Sequence, residues 1–304
     1  MRFSIWPSFQ RPWPELIHLA HHVERQGWHG LWYADHYMVD TPDGAPSDDA
    51  ALECWSALAA LAGSVPRLQL GSLVSPSSVH HPALLANQAG TVDHISGGRL
   101  VLGLGAGWQV NEHRAYGFEL AAPKERVDRF EEFIAIVWGL LHESRTTFAG
   151  RWFTVTDAPC EPKAGGAVPI PILVGSGSPR MLRLTARYAD AWNLWGNPTV
   201  VRERSRALDA ACEREGRDPS TLRRTAQALF FLVDDPATAA TIRERVPEDR
   251  SVVGGPSEIA EQVQAYADAG VDELIVPDFT LGATAETRRE SYDRFWFEVL
   301  PGLR

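Results

Sequence analysis

The feature that most constrains this chain is an alternation that runs from one end to the other: eight short β-rich runs, each followed by a longer amphipathic stretch. The runs fall at 3–7, 30–35, 68–74, 100–105, 170–175, 191–195, 225–233 and 273–277. Helical patterns follow at 13–27, 50–63, 80–95, 124–143, 179–189, 198–215, 236–247 with 256–269, and 284–299. Such alternation builds parallel sheets, because each helix returns the chain to the same end of the sheet by a right-handed crossover. Eight pairs within 304 residues suit a closed barrel better than an open doubly wound sheet. The expected class is therefore α/β, a (β/α)8 TIM barrel forming one domain over 1–304. Insertions are expected after strand two (36–49), after strand four (106–123) and before strand five (145–168). The first two leave strand C-terminal ends, where barrel enzymes build their sites. The third contains a strand-like run at 152–155 and reads as a small hairpin.

A net charge of −10 with no basic stripe argues against a nucleic-acid partner, which would need cations to neutralise phosphates. Lys124 and Lys163 are the only lysines among 29 basic residues, an arginine bias that carries no functional weight. Cys54, Cys160 and Cys212 are odd in number and far apart, so neither a disulfide framework nor a zinc site is expected. Without a leader pattern or a membrane-length apolar run, the chain reads as cytoplasmic.

The clearest local signal is Val174-Gly175-Ser176-Gly177-Ser178-Pro179-Arg180, a strand running through small residues into a helix. Glycines let backbone amides turn inward, proline suits the first helical position, and a helix N-terminus favours an anion. Gly175, Ser176, Gly177, Ser178 and Pro179 are thus candidate phosphate binders, against the plainer reading of a tight turn that needs glycine for its backbone alone. Leu102-Gly103-Leu104-Gly105-Ala106-Gly107 superficially resembles a dinucleotide fingerprint, but Trp108 stands where its third glycine is required, and the run follows the fourth strand. Its glycines, Gly107 included, are read as letting a planar ring approach the backbone. Trp6, Trp108, Trp192 and Trp195 fall at or beyond strand ends and are expected to wall a pocket for a flat, apolar ligand. His36, His80, His81, His94 and His113 invite a metal reading, yet the first strand ends in Ile5-Trp6-Pro7-Ser8 where metal-dependent barrel hydrolases carry H-x-H. No metal is expected. Asp93-His94-Ile95-Ser96-Gly97-Gly98-Arg99 reads as a helix ending in a glycine turn.

These segments carry a resemblance. Asp35-His36, Gly71-Ser72-Leu73-Val74 leading to His81-Pro82-Ala83-Leu84-Leu85-Ala86, Ser96-Gly97-Gly98-Arg99 through Gly107-Trp108, and Asn111-Glu112-His113 with Ala115-Tyr116-Gly117 resemble the luciferase-like flavin and deazaflavin oxidoreductases. So do Ala189-Asp190-Ala191-Trp192-Asn193 and Gly270-Val271-Asp272-Glu273, which extend the likeness over nearly the whole chain. The G-W-x-x-x-E-H-x-A-Y-G run is most similar to the branch that uses coenzyme F420. The resemblance implies a non-proline cis peptide at the end of strand three, placed at Ser72–Leu73, that props the cofactor ring. It also implies Asn111 near the ring's pyrimidine edge and residues 175–179 around the phosphate. His36 corresponds to a histidine beside the reactive carbon, suited to pass a proton to substrate.

Departures narrow the expectation. Sugar-phosphate dehydrogenases of this group carry a glutamate where this chain has Trp108, and a tryptophan where it has Asp40. The resemblance therefore implies hydride transfer from reduced F420 to a small, largely apolar enone, imine or aromatic substrate. A reductase or F420-reducing dehydrogenase would supply the cofactor, and a homodimer is the usual assembly. Two alternatives stay open: an FMN-dependent monooxygenase using reduced FMN and oxygen, and a non-catalytic flavin-binding barrel.

Overall fold

The computed structural model describes residues 1–165 and 169–303. Eight parallel strands form its centre: β1 (Arg2–Trp6), β2 (Gly30–Tyr33), β3 (Gln69–Ser72), β4 (Leu100–Gly105), β5 (Ile172–Gly175), β6 (Ala191–Trp195), β7 (Arg223–Gln227) and β8 (Glu273–Pro277). Each pairs with its successor, and β8 pairs with β1 in the register Arg2↔Glu273 to Trp6↔Pro277, which closes the barrel. The expected TIM barrel is the fold observed.

Among the described residues ten α-helices accompany the strands: α1 (Trp13–Gln26), α2 (Cys54–Ser64), α3 (Pro82–Ser96), α4 (Val110–Tyr116), α5 (Pro123–His142), α6 (Pro179–Tyr188), α7 (Pro198–Arg214), α8 (Pro236–Arg243), α9 (Pro256–Asp268) and α10 (Ala285–Arg294). Six of them open on proline, whose fixed φ suits a first turn and whose missing N–H would have had no partner there. Left-handed Gly27, Gly97 and Gly117 end α1, α3 and α4, so the glycine turn expected after His94 is present.

Side chains alternate along every strand, and the two faces enter different cores. Outward residues such as Phe3, Leu31, Leu102, Val174 and Leu274 pack under the helices. Inward residues Trp6, Trp32, Val101, Leu173, Ala191 and Ile275 fill the barrel. Trp32 occupies the space that a side chain at Gly71 would need, since a Cβ there would lie 2.4 Å from its ring. Its Nε1 donates to the buried Glu273 carboxylate at 2.7 Å, which satisfies a polar pair inside the barrel.

Three expectations are adjusted. The run at 225–233 splits, because the chain leaves the barrel after Gln227; Leu229–Leu232 then pairs in parallel with Ser251–Gly254 in a separate two-stranded sheet. The connection at 106–123 contains α4, and the hairpin before β5 joins Thr146–Ala149 to Thr154–Ala158, the latter starting two and ending three residues beyond the run at 152–155. Residues 166–168 of that insertion lie outside the described residues. Among the described residues no helix is long and apolar enough to cross a membrane.

Candidate active site

A one-residue bulge shapes the mouth of the barrel. Between the pairs Gly71↔Val101 and Ser75↔Leu104, the chain after β3 spends four residues where β4 spends three. The Ser72 hydroxyl fills the interrupted ladder, donating to Gly103 O at 3.0 Å and accepting from Gly103 N at 3.1 Å. Gly103 has to be glycine, because a Cβ there would sit 1.9 Å from the Ser72 carbonyl oxygen. A Cβ at Gly105 would lie 2.7 Å from Val74 Cγ2, and one at Gly175 would lie 3.2 Å from Val74 Cγ1. The glycines of β4 and β5 therefore make the hollow that seats Val74. This corrects the reading for Gly103 and Gly105, whose missing side chains make room for protein and not for a ring; Gly107 does line the cavity, and a Cβ added there would lie 2.1 Å from Ser78 Oγ.

The bulge carries a non-proline cis peptide, joining Leu73 to Val74 and not Ser72 to Leu73. Regular pairing still includes the Leu73 amide, which donates to Tyr33 O at 2.8 Å, so the irregularity begins one residue later than expected. Leu73 and Val74 both line a cavity of about 780 Å³ at the C-terminal ends of the strands. Ser72 is fully buried by its bridging role and does not line it.

His36, just past β2, lines the cavity and is held from behind. Its Nδ1 lies 3.0 Å from Glu112 Oε1, while Glu112 Oε2 accepts from Tyr37 N at 2.9 Å. Glu112 is 1% exposed and sits on the first turn of α4, so the carboxylate is fixed by both helix and backbone. A carboxylate accepts only, hence Nδ1 carries the hydrogen in the neutral ring. Nε2 makes no hydrogen bond among the described residues, which leaves it available to the cavity. Trp108 and Phe9 flank the imidazole at centroid distances of 5.6 and 5.9 Å.

Asp35, one residue earlier, points the other way and braces the bulge. Its Oδ2 accepts from Ser75 Oγ (2.6 Å), His80 Nε2 (2.8 Å) and Trp55 Nε1 (3.2 Å). Burial alone would raise its pKa, but the charge and hydrogen bond of His80, the Ser75 hydroxyl and the charge of His36 hold it below the ordinary carboxylate range. His113 is similarly engaged, by Gln109 O and Ser78 Oγ. Among the described residues no group of three or more His, Cys, Asp or Glu side chains is placed to hold a metal.

The turn from β5 to α6 forms another wall. Gly175, Ser176 and Gly177 line the cavity, with Ser178 and Pro179 just behind them at the start of α6. The Gly177 amide makes no hydrogen bond among the described residues, and a Cβ at Gly177 would meet only Leu194 Cδ1 at 3.7 Å. Trp192 stabilises this turn from the outside, donating from Nε1 to Ser176 O at 2.6 Å. It is fully buried and does not line the cavity, because on β6 the inward positions are Ala191, Asn193 and Trp195. Trp6, Trp108 and Trp195 do line it, and Trp6 packs on Trp195 and Phe279 at 5.4 and 5.1 Å.

Asn111 does not face the cavity either. Its Nδ2 donates to Val39 O (2.7 Å) and Ala45 O (3.1 Å), and its Oδ1 accepts from Gln109 Nε2 (2.8 Å) and Glu112 N (2.9 Å). Its amide is saturated, so it fastens the connection after β2 and does not meet a ring edge. Conversely, Glu112, Asn193, Gln227 and Arg250 line the cavity without having been read from the sequence. The pocket thus holds charge as well as its aromatic walls. The Asn-Glu-His run hinted at Glu112; nothing local marks Arg250, which reaches the mouth from a distant loop.

Three comparisons can be set beside this geometry. The model of the luciferase-like monooxygenase family matches residues 1–246. The chain is 26% identical to an F420-dependent glucose-6-phosphate dehydrogenase of Kineococcus radiotolerans, over 95% of this chain and 93% of that one. It is 33% identical to the phthiodiolone/phenolphthiodiolone dimycocerosates ketoreductase of Mycobacterium tuberculosis, over 77% of this chain and 60% of that protein. Its fold is similar to that of an F420-dependent secondary alcohol dehydrogenase solved with an F420-acetone adduct: TM-score 0.83, 17% identity, 100% of this chain and 99% of the other.

Proposed function

The chain belongs to the luciferase-like monooxygenase family, and from that premise we propose that it is an F420-dependent oxidoreductase reducing a planar organic electrophile. The observation that carries this reading is one cavity in which an apolar ledge, Leu73 with Val74, accompanies an imidazole nitrogen that has no partner among the described residues. The relatives named for F420 support the choice of cofactor.

The residues fit such a group. A flat ring needs an apolar surface without protruding polar atoms, which Leu73 and Val74 provide. Its phosphate needs amide donors, which the unpartnered Gly177 N–H and the N-terminus of α6 offer. When bound, reduced F420 supplies a hydride. The protein's own contribution is orientation and a proton. Glu112 holds Nδ1–H and thereby aims Nε2 of His36 at the cavity, so a protonated ring would deliver its proton from Nε2 to the substrate atom that the hydride has made basic. Trp6, Trp195 and Phe279 would flank a planar substrate and exclude water.

Titration of F420 with purified protein tests the reading: deazaflavin fluorescence should be quenched at micromolar concentrations or below. Stoichiometric uptake of FMN without any response to F420 would replace it with the monooxygenase reading. Gly177→Val tests the phosphate turn. Its Cβ has ordinary room beside Leu194, so the fold should persist while the branched side chain crowds the amides. Cofactor affinity should fall on the order of tenfold or more, the worth of a charge-assisted hydrogen bond. Unchanged affinity would remove the turn from the cofactor site.

A further inference from the structure

Among the described residues lining the cavity Arg250 is the only lysine or arginine, and it makes no side-chain hydrogen bond or ion pair with any described residue. Its backbone is held at the mouth of the barrel. It closes the short 3-10 turn Glu248–Arg250, and Asn197 fastens that turn to the β6–α7 connection by donating from N to Asp249 O (2.7 Å) and from Nδ2 to Glu248 O (3.0 Å). The next residue, Ser251, pairs with Leu229, two residues beyond the end of β7. Arg250 is thus anchored beside Gln227 and Trp195, which are register partners on β7 and β6.

Gln227 adds a second donor, and a chain of hydrogen bonds fixes which way it points. Thr225 Oγ1 spends its proton on Trp192 O (3.2 Å), so it accepts from Asn193 Nδ2 (2.8 Å). Asn193 Nδ2 also donates to Gln227, which must present its oxygen, Oε1, at 2.7 Å. That leaves Gln227 Nε2, on a residue only 2% exposed, as a donor in the cavity without a hydrogen-bond partner among the described residues.

We propose that Arg250 and Gln227 Nε2 form an anion subsite that selects planar substrates carrying a carboxylate. A single guanidinium with one amide donor matches the charge and oxygen count of a carboxylate, whereas a phosphate dianion would leave charge uncompensated. The neighbouring Trp6, Trp195 and Phe279 rings supply a surface for the planar body. The subsite stands between β6 and β7, apart from the β5–α6 turn assigned to the cofactor phosphate. It rests on the F420 reading in taking the carboxylate to be the substrate's and not the cofactor's.

The test compares trans-cinnamate with cinnamamide, the same planar body with and without charge, by tryptophan fluorescence on cofactor-free and F420-loaded protein. The wild type should bind cinnamate on the order of tenfold tighter than the amide. Arg250→Gln should abolish that preference and leave cinnamamide and F420 affinity unchanged, while Arg250→Lys should keep part of it. Equal binding of the two probes by the wild type, no binding of cinnamate at millimolar concentration, or equal weakening of both by Arg250→Gln would overturn the proposal. Weaker F420 binding in Arg250→Gln with cinnamate unaffected would also overturn it, assigning the cation to the cofactor. Failure of F420 to bind, with the cinnamate preference intact, would sink the cofactor reading and leave the subsite standing.

Discussion

Alanine at Gly103 is expected to destabilise the protein by about 3 kcal/mol or more, at the upper end of what overpacking costs. The added Cβ would lie 1.9 Å from the Ser72 carbonyl oxygen, and a backbone atom cannot rotate out of the way. The strands β3 and β4 would have to part, and both hydrogen bonds between Ser72 Oγ and the Gly103 backbone would stretch with them. Loss of those bonds inside a buried bulge leaves polar groups unsatisfied, which adds to the steric term. Gly177→Ala is the control, because its Cβ meets only Leu194 at 3.7 Å. Urea denaturation measures both: the midpoint of Gly103→Ala should fall sharply while that of Gly177→Ala stays near the wild type. A Gly103→Ala protein with an unchanged midpoint would mean that the close approach of β3 and β4 is not what the bulge depends on.

Why the barrel was legible and parts of the site were not follows from the reach of the forces involved. Strand and helix periods are local, so β4, β6 and β8 fall within 100–105, 191–195 and 273–277 as read from the sequence. The prolines and glycines that start and stop the helices are local too. A strand's two faces, however, are told apart only once its neighbours are in place. Trp192 and Trp195 look alike in sequence, yet an odd separation on one strand puts the first under the helices and the second at the barrel mouth. Asn111 is a similar case: the family resemblance implies a ligand to the ring, but carbonyls at Val39 and Ala45, more than sixty residues away, consume its amide. The bulge itself depends on a count of residues between two strands, which only pairing reveals.

Glu112 gives the sharpest remaining test, because its role runs entirely through His36. His36→Ala should lower turnover on the order of 10²-fold if the ring supplies the proton, with F420 affinity little changed. Glu112→Gln keeps the shape but not the chemistry. One carboxylate serves two donors, His36 Nδ1–H and Tyr37 N–H, whereas an amide offers one acceptor and one NH2 group. With the Gln oxygen accepting from Tyr37 N–H, its NH2 faces Nδ1 and suits only the neutral tautomer with hydrogen on Nε2. The ring protonated on both nitrogens would oppose an N–H with an N–H, so the proton-carrying form loses its support and turnover should fall on the order of tenfold. If Glu112 acts only by fixing the imidazole, then in a protein that already lacks the ring its replacement has nothing left to disturb in catalysis. The double variant should then turn over as slowly as His36→Ala alone, a departure from additivity that a double-mutant cycle reads directly. Losses that multiply would show that Glu112 reaches the reaction by another route, and the assignment of the proton to His36 Nε2 would have to be given up with it.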